Sequence, residues 1–367
     1  MRLKQGPPDL MLFLVVVLLV CIGLIMIFSA SAVTSDVKYQ DAFFFVKRQL
    51  IWAILGLMVM LVLMKANYQK LRELGVAGLV LALLCLVAVL LPGIGKNVKG
   101  AVRQIDLVFT SFTPAELTKL CLAFFFASSL SLNHGKIKSF VQGLLPYLVL
   151  IGVVCGLIML QPDLGTALII AVTAYLMLIM AGARISHMVV LALIGVGLVA
   201  LVIYLEPYRM IRFIAFLDPW KYASDEGFQT IQSLYAIGSG GLFGMGLGQS
   251  RQKFFYLPEQ HTDFIFAILG EELGYLGVFV VLTLLFIFAW RGFQIALKAL
   301  DIFGSLLAAG ITTMITAQAA INLGVVSGSL PVTGIPLPFI SYGGSSLMFT
   351  MAGVGLLLSV SRYTYDR

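Results

Sequence analysis

Three carboxylates, Asp263, Glu271 and Glu272, fall within ten residues of one apolar stretch. Ionisable groups inside a membrane-length helix are expensive, and normally face water, a cavity or an opposite charge. More acids stand here than helix capping needs, so the stretch predicts a polar cavity opening outward. Glu271 lies nearer the Asp263 side, at about 80° with 3.6 residues per turn. A carboxylate so placed can take a proton from an attacking hydroxyl. Asp263 also has a structural reading, since an acid in the first turn of a helix is favoured by the dipole. His261 precedes it by two residues and is a further candidate for the same cavity.

Other polar groups share this pattern. In Thr113-Pro114-Ala115-Glu116-Leu117-Thr118-Lys119, the threonine, proline and glutamate spell a helix start with a capping box. Glu116 and Lys119 are three apart on one face, and Lys119 falls within the apolar run, so they form either a structural ion pair or a polar cavity wall. Asp163, in Gln161-Pro162-Asp163-Leu164-Gly165-Thr166, is either a helix N-terminal anion or a second carboxylate bordering the cavity. Arg209, Arg212, Arg251 and Lys253 lie in the one long polar segment, 204–266, as ordinary interfacial cations or as partners for lipid phosphates. The glycine run 238–248 lacks the G-x-x-x-x-G-K-[ST] spacing of a phosphate loop, and a re-entrant or flexible turn suits it better. Ser341 sits in a last loop dense in proline and glycine, 329–346, which forms either a wall of the site or a packed connector.

The elements that must position these groups are membrane helices. Hydrophobic residues make up 60% of the 367-residue chain and charged ones 11%, far from a soluble domain. Apolar periodicity predicts ten helices, at about 10–33, 46–65, 74–92, 114–132, 140–160, 163–182, 186–205, 263–290, 302–325 and 341–361. The fold class is therefore an all-α polytopic membrane protein. It forms one domain over 1–367, with a large loop of about 206–262 between helices 7 and 8. The first apolar run is too long for a signal core, so Ala30-Ser31-Ala32 reads as part of a retained helix.

An even helix count puts both chain ends on one side. Loops there carry Arg2, Lys4, Lys65, Lys70, Arg72, Lys136, Lys138, Arg184, Arg291, Lys298, Arg362 and Arg367, against Lys38, Lys47, Arg48, Lys96, Lys99 and Arg103 opposite. The bias makes the chain ends cytoplasmic and the long loop external. The net charge of +7 is spent in loops facing membrane lipids, and nothing in it calls for nucleic acid. The four cysteines, all in apolar runs, read as free buried thiols, and the three histidines have no zinc-site spacing.

Taken together, Phe28-Ser-Ala-Ser-Ala32, Pro114-Ala-Glu116-Leu-Thr-Lys119, Gln161-Pro-Asp-Leu-Gly-Thr166, Tyr256-Leu-Pro-Glu-Gln-His-Thr-Asp263-Phe-Ile-Phe266 and Leu337-Pro-Phe-Ile-Ser-Tyr-Gly-Gly-Ser-Ser346 resemble the SEDS family of bacterial cell-wall proteins along nearly the whole chain. Gln249-Ser-Arg-Gln-Lys253 and Gly270-Glu-Glu-Leu-Gly-Tyr275 are more similar to its division and sporulation branch than to its elongation branch. Lys99-Gly-Ala-Val-Arg103-Gln-Ile105 departs from the family pattern by lacking a tryptophan. The resemblance implies a peptidoglycan glycosyltransferase that polymerises lipid II, a disaccharide-peptide on undecaprenyl diphosphate, outside the cytoplasmic membrane. It places the family's essential aspartate on Asp263, here read as general base of an inverting reaction. It implies a class B penicillin-binding protein and further divisome membrane proteins as partners. A divalent cation, Mg2+ or Mn2+, or the outer-loop Arg and Lys residues would meet the diphosphate charge. The rival readings are a lipid II flippase, with a site near the bilayer midplane, and a non-catalytic scaffold for the penicillin-binding protein.

Overall fold

The computed structural model describes residues 6–98, 101–107, 110–254 and 256–363. Arg2, Lys4, Lys99 and Arg367 of the loop-charge comparison, and Phe255, lie outside them. The architecture is helical: α1 Leu10–Tyr39, α2 Phe44–Lys65, a short turn α3 Tyr68–Leu71, α4 Leu74–Leu90, α5 Pro114–Leu132, α6 Leu145–Met159, α7 Leu164–Met180, α8 Ile185–Leu205, α9 Pro207–Leu217, α10 Phe228–Ser239, α11 Ile265–Lys298, α12 Ile302–Val326 and α13 Gly344–Ser361. Among the described residues, eight helical segments are long and apolar enough to cross a membrane. The apolar helices α4 and α7 have 17 residues each. α12 and α13 are the most enclosed, and α12 packs against α5, α7, α11 and α13. α8 has a single buried residue, Met188, and touches α7 and α9 near its ends.

Thirty residues make α1 about 45 Å long at 1.5 Å per residue, more than the ~30 Å hydrocarbon layer. At one end of the bundle the chain termini meet: Gly6 N–H donates to the Arg362 carbonyl at 3.0 Å, and Asp9 N–H to Ser361 Oγ at 3.0 Å.

The sequence led us to expect an irregular loop over 93–113. Instead a three-stranded antiparallel sheet forms from β1 Gly95–Val98, β2 Ala101–Leu107 and β3 Thr110–Phe112. Lys96 faces Gln104 and Asp106 faces Ser111, with a bulge between Lys96 and Asn97. The strands are too short and too polar for alternation to reveal them. The long polar segment is likewise more ordered than expected, holding α9, α10 and a 3₁₀ turn at Pro219–Tyr222. α6 is preceded by a π-helical turn, Phe140–Leu144.

The eighth expected helix is longer and is broken. Gly274 inside α11 has φ 64° and ψ −165°. A break at this position orphans two i→i−4 bonds, those of the Tyr275 and Leu276 amides to the Glu271 and Glu272 carbonyls. The glycine run supplies all four partners. Tyr275 and Leu276 N–H donate to the Gly241 and Leu242 carbonyls at 2.9 and 3.2 Å, while Met245 and Gly246 N–H donate to the Glu271 and Glu272 carbonyls at 2.9 and 3.0 Å. Irregular backbone at membrane depth is tolerated when protein satisfies it in this way. The glycine run is a backbone plug for a split helix and not a phosphate cradle.

The fit also explains why these positions are glycine. A Cβ on Gly274 would lie 2.3 Å from the Gly244 nitrogen, and one on Gly244 would lie 2.1 Å from the Glu272 carbonyl oxygen. The Gly274 backbone lies in a region essentially reserved for glycine, where other residues cost roughly 1–3 kcal/mol before any clash. Gly274→Ala should therefore melt well below the parent in detergent. Gly195→Ala, at a helix position with open space around it, should melt at the parent temperature.

Candidate functional site

A cavity of about 1220 Å³ opens at the end of the bundle away from the chain termini. Its wall is built largely from helix starts and loop ends: the last turns of α1, the first three turns of α2, the sheet, the starts of α5 and α7, and the segments 257–263, 334–336 and 342–346. Asp263, Glu116, Lys119, Asp163 and His261 all line it. The sequence thus placed five of its candidates in one space, from segments nearly 150 residues apart.

Asp263 lies just outside α11, which begins at Ile265 with Phe264 as its cap. The expectation of a first-turn acid is corrected by two residues. A tight turn centred on Glu259, whose φ is 56°, presents it instead. Thr262 and Phe264 N–H donate to the Glu259 carbonyl at 3.1 and 3.3 Å, and Thr262 Oγ1 to the Glu259 carboxylate at 2.9 Å. The last loop grips the same turn. Ser341 Oγ donates to the Thr262 carbonyl at 2.6 Å and accepts from Leu337 N–H at 2.8 Å, and Tyr342 N–H donates to the His261 carbonyl at 2.9 Å. Asn322 Nδ2 on α12 donates to the carbonyl of Asp263 itself at 2.8 Å.

Lys119, 4% exposed, donates to Glu116 at 2.9 Å and to Gln318 Oε1 at 2.7 Å. Ion pair and cavity wall are therefore the same object. The capping box is not made: Thr113 gives no side-chain cap, and Glu116 turns to the lysine. Asp163 serves both of its readings. It caps α7 by accepting from Thr166 N–H and Oγ1, each at 3.0 Å, and it faces Arg103 at 3.8 Å from the cavity side.

Cations line the cavity as well: Lys38, Arg48, Lys96 and Arg103 join Lys119. Arg48, in the first turns of α2, stands 4.4 Å from the Phe44 ring centre. Burial pushes the nearby Tyr342 phenol above its ordinary pKa, and the Arg48 charge partly offsets this. Phe45, His261 and Tyr342 form an aromatic cluster with ring centres 4.5–5.8 Å apart.

Six expected site residues lie outside this lining. Arg209 and Arg212 belong to α9, where Arg209 reaches the Val202 carbonyl at 3.4 Å, while Arg212 pairs with Glu226 at 3.3 Å and covers the Tyr208 ring. Glu271, 1% exposed, does not open outward with Asp263; it accepts from Ser250 Oγ, from Arg251 N–H at 2.9 Å and from Gln252 N–H at 3.4 Å. Lys253 is buried against Glu272 at 3.1 Å, and Glu272 also accepts from Ser29 Oγ on α1 at 2.6 Å. The pair of acids is thus a closed clasp on residues 250–253. Arg251 contributes its backbone to that clasp and leaves its side chain exposed. Ser341 is 6% exposed and holds the Asp263 turn from behind.

Sequence reasoning missed Arg48 and Arg103 as cavity cations, and Gln318 and Asn322 altogether. Two amides four residues apart in an apolar helix were the available signal for the latter.

Residues 9–366 match the model of a family described as cell cycle protein, the FtsW, RodA and SpoVE family. The chain belongs to this family. It is 50% identical to stage V sporulation protein E of Bacillus subtilis, over 99% of this chain and 100% of that protein. It is 44% identical to the probable peptidoglycan glycosyltransferase FtsW of Geobacter sulfurreducens, over 96% of this chain and 95% of that one. Among solved structures it resembles a chain of a peptidoglycan synthase complex that coordinates polymerization and crosslinking. That match has TM-score 0.79 and 32% identity, covering 97% of this chain and 98% of the other. Thermus thermophilus RodA superimposes with TM-score 0.72 and 30% identity, over 98% of both chains. This FtsW/RodA/SpoVE family member is a multi-pass membrane protein, and the resemblance to the SEDS family holds along its length.

Proposed function

We propose that this chain is a peptidoglycan glycosyltransferase that polymerises lipid II at the outer face of the cytoplasmic membrane, serving division or sporulation. The observation that carries the reading is a carboxylate, Asp263, fixed on a braced turn at the mouth of a membrane bundle. It faces a large cavity lined with cations that suit a diphosphate.

Asp263 takes the proton of the acceptor sugar 4-hydroxyl as that oxygen attacks the donor anomeric carbon. The new C–O bond forms opposite the bond to diphosphate, which breaks with its electron pair and leaves as an anion. Attack from the far side of an α-linked donor gives a β-linkage. Positioned proton transfer of this kind contributes ~10²–10⁴-fold. Arg48, Arg103 and Lys119 meet the leaving charge, a form of stabilisation that costs no reorganisation when the donors are already in place.

Among the described residues no group of three His, Cys, Asp or Glu could hold a metal ion. The donor set therefore fits Mg2+ or Mn2+ only in the manner usual for Mg2+, with one or two carboxylates such as Asp263 or Glu116 and the rest from substrate phosphates. Such an ion would supply further neutralisation of the diphosphate.

The cation bias of the loops puts the chain ends in the cytoplasm and the cavity outside. A class B penicillin-binding protein and other divisome membrane proteins are the partners this reading calls for. A transporter needs a midplane site reachable from both sides. Beneath Lys119, Leu122, Phe126, Ile170, Met177 and Met314 surround only about 10 Å³ of space. The deciding experiment reconstitutes the purified chain with fluorescent lipid II. Glycan polymers are expected on gels; translocated but unpolymerised lipid II would establish the transport reading in its place.

A further inference from the structure

We infer that Asn322 and Gln318, one turn apart on α12, are positioning residues that set Asp263 and Lys119 at a fixed separation. The inference rests on Asp263 being the base proposed above. Both amides are buried, 1% and 3% exposed, in a helix whose other polar side chains are the hydroxyls of Ser305, Thr312, Thr313 and Thr316. Asn322 Nδ2 donates to two carbonyls, Asp263 at 2.8 Å and Ile335 at 2.7 Å. Gln318 Nε2 donates to the next carbonyl along, Pro336, at 3.0 Å, and its Oε1 accepts from Lys119 at 2.7 Å.

Their orientations follow from their partners. Carbonyls can be met only by an NH₂ group, and an ammonium only by an oxygen. Consecutive carbonyls of the last loop are thus held by amides about 6 Å apart along the axis. From the same two amides hang the main chain of the base and the head of the buried cation. Bonds in such a dry interior are electrostatically stronger than in water. Asn322 holds the Asp263 main chain, and so sets where that side chain emerges into the cavity. A structural filler at 322 or 318 would have no need to bridge two elements that both carry cavity groups.

The test compares initial rates of lipid II polymerisation by the full-length chain in detergent, with kcat and KM resolved. The variants are Asn322→Leu, Asn322→Asp, which keeps the shape and leaves at most one donor for the two carbonyls, Ser359→Ala and Asp263→Asn. Ser359 donates to the Ala66 carbonyl at 2.6 Å, a comparable bond far from the cavity. Misplacing a reacting group by about 1 Å costs on the order of 10²-fold. Both Asn322 variants are therefore expected to lose about that much kcat, with KM for lipid II little changed. Ser359→Ala should lower the melting temperature and keep kcat. Should Asn322→Leu not fold, Asn322→Asp carries the comparison. A folded Asn322 variant with the parent kcat overturns the inference. A fully active Asp263→Asn removes the base beneath it and is distinguishable, because it leaves the Asn322 bond to the main chain in place.

Discussion

Asp263→Asn should leave the protein folded and monodisperse, able to bind lipid II, and without polymerising activity. The substituted side chain has the same shape, and the bonds that brace the turn are made by the Asp263 carbonyl and by its neighbours Thr262 and His261. None of them depends on the carboxylate. What disappears is the proton acceptor, and with it ~10²–10⁴-fold of rate from general base catalysis alone. The measurement is glycan formation from fluorescent lipid II, with melting temperature and lipid II binding read on the same preparation. Parent-level polymerisation would overturn Asp263 as the base. Loss of binding along with activity would mean that Asp263 holds substrate and does not act on it.

The second large effect is on stability. Lys253→Met strips the cation paired with Glu272, which is fully buried and, among the described residues, would keep neutral donors from Ser29 and Ser250. Removing one partner of a buried ion pair typically costs about 3–5 kcal/mol, whereas replacing both can be nearly neutral. Lys253→Met should melt far below the parent in detergent, and Lys253→Met combined with Glu272→Gln should recover much of the loss. The reason to expect a functional echo is geometric: the clasp anchors 250–253, and the chain runs from there directly to Asp263. If the single and double variants melt alike, the pair is not what holds this segment.

Much of this was legible in the residues, for a physical reason. Apolar runs of membrane length read as spanning helices, so most of the main helices could be read to within a few residues, although α1 and α11 run six and eight residues past their expected ends. The cavity acids Glu116, Asp163 and Asp263 could be read because charge inside such runs demands an explanation. The same rule misplaced Glu271. It says that a buried acid needs a partner, and does not say whether that partner is water or, as here, the backbone amides of Arg251 and Gln252. The break at Gly274 was hidden because Glu271-Glu272-Leu273-Gly274 reads as continuous helix. Only the distant glycine run, which completes its hydrogen bonds, makes the break possible. Arg48 and Arg103 were counted as loop cations because their place in the cavity lining is purely tertiary.

One feature of the cavity wall bears on how competitors would meet it. Ile51 and Leu55 of α2 line the cavity and are 59% and 39% exposed, so part of its wall is apolar and accessible. An apolar stretch of wall on the α2 side would let a lipid-linked ligand place its head among the charges while its hydrocarbon remains dissolved in the leaflet. Occupancy then follows surface density in two dimensions and not bulk molarity. A water-soluble mimic of the headgroup competes only by arriving from the aqueous side, without the crowding that the bilayer lends to anything carrying a chain.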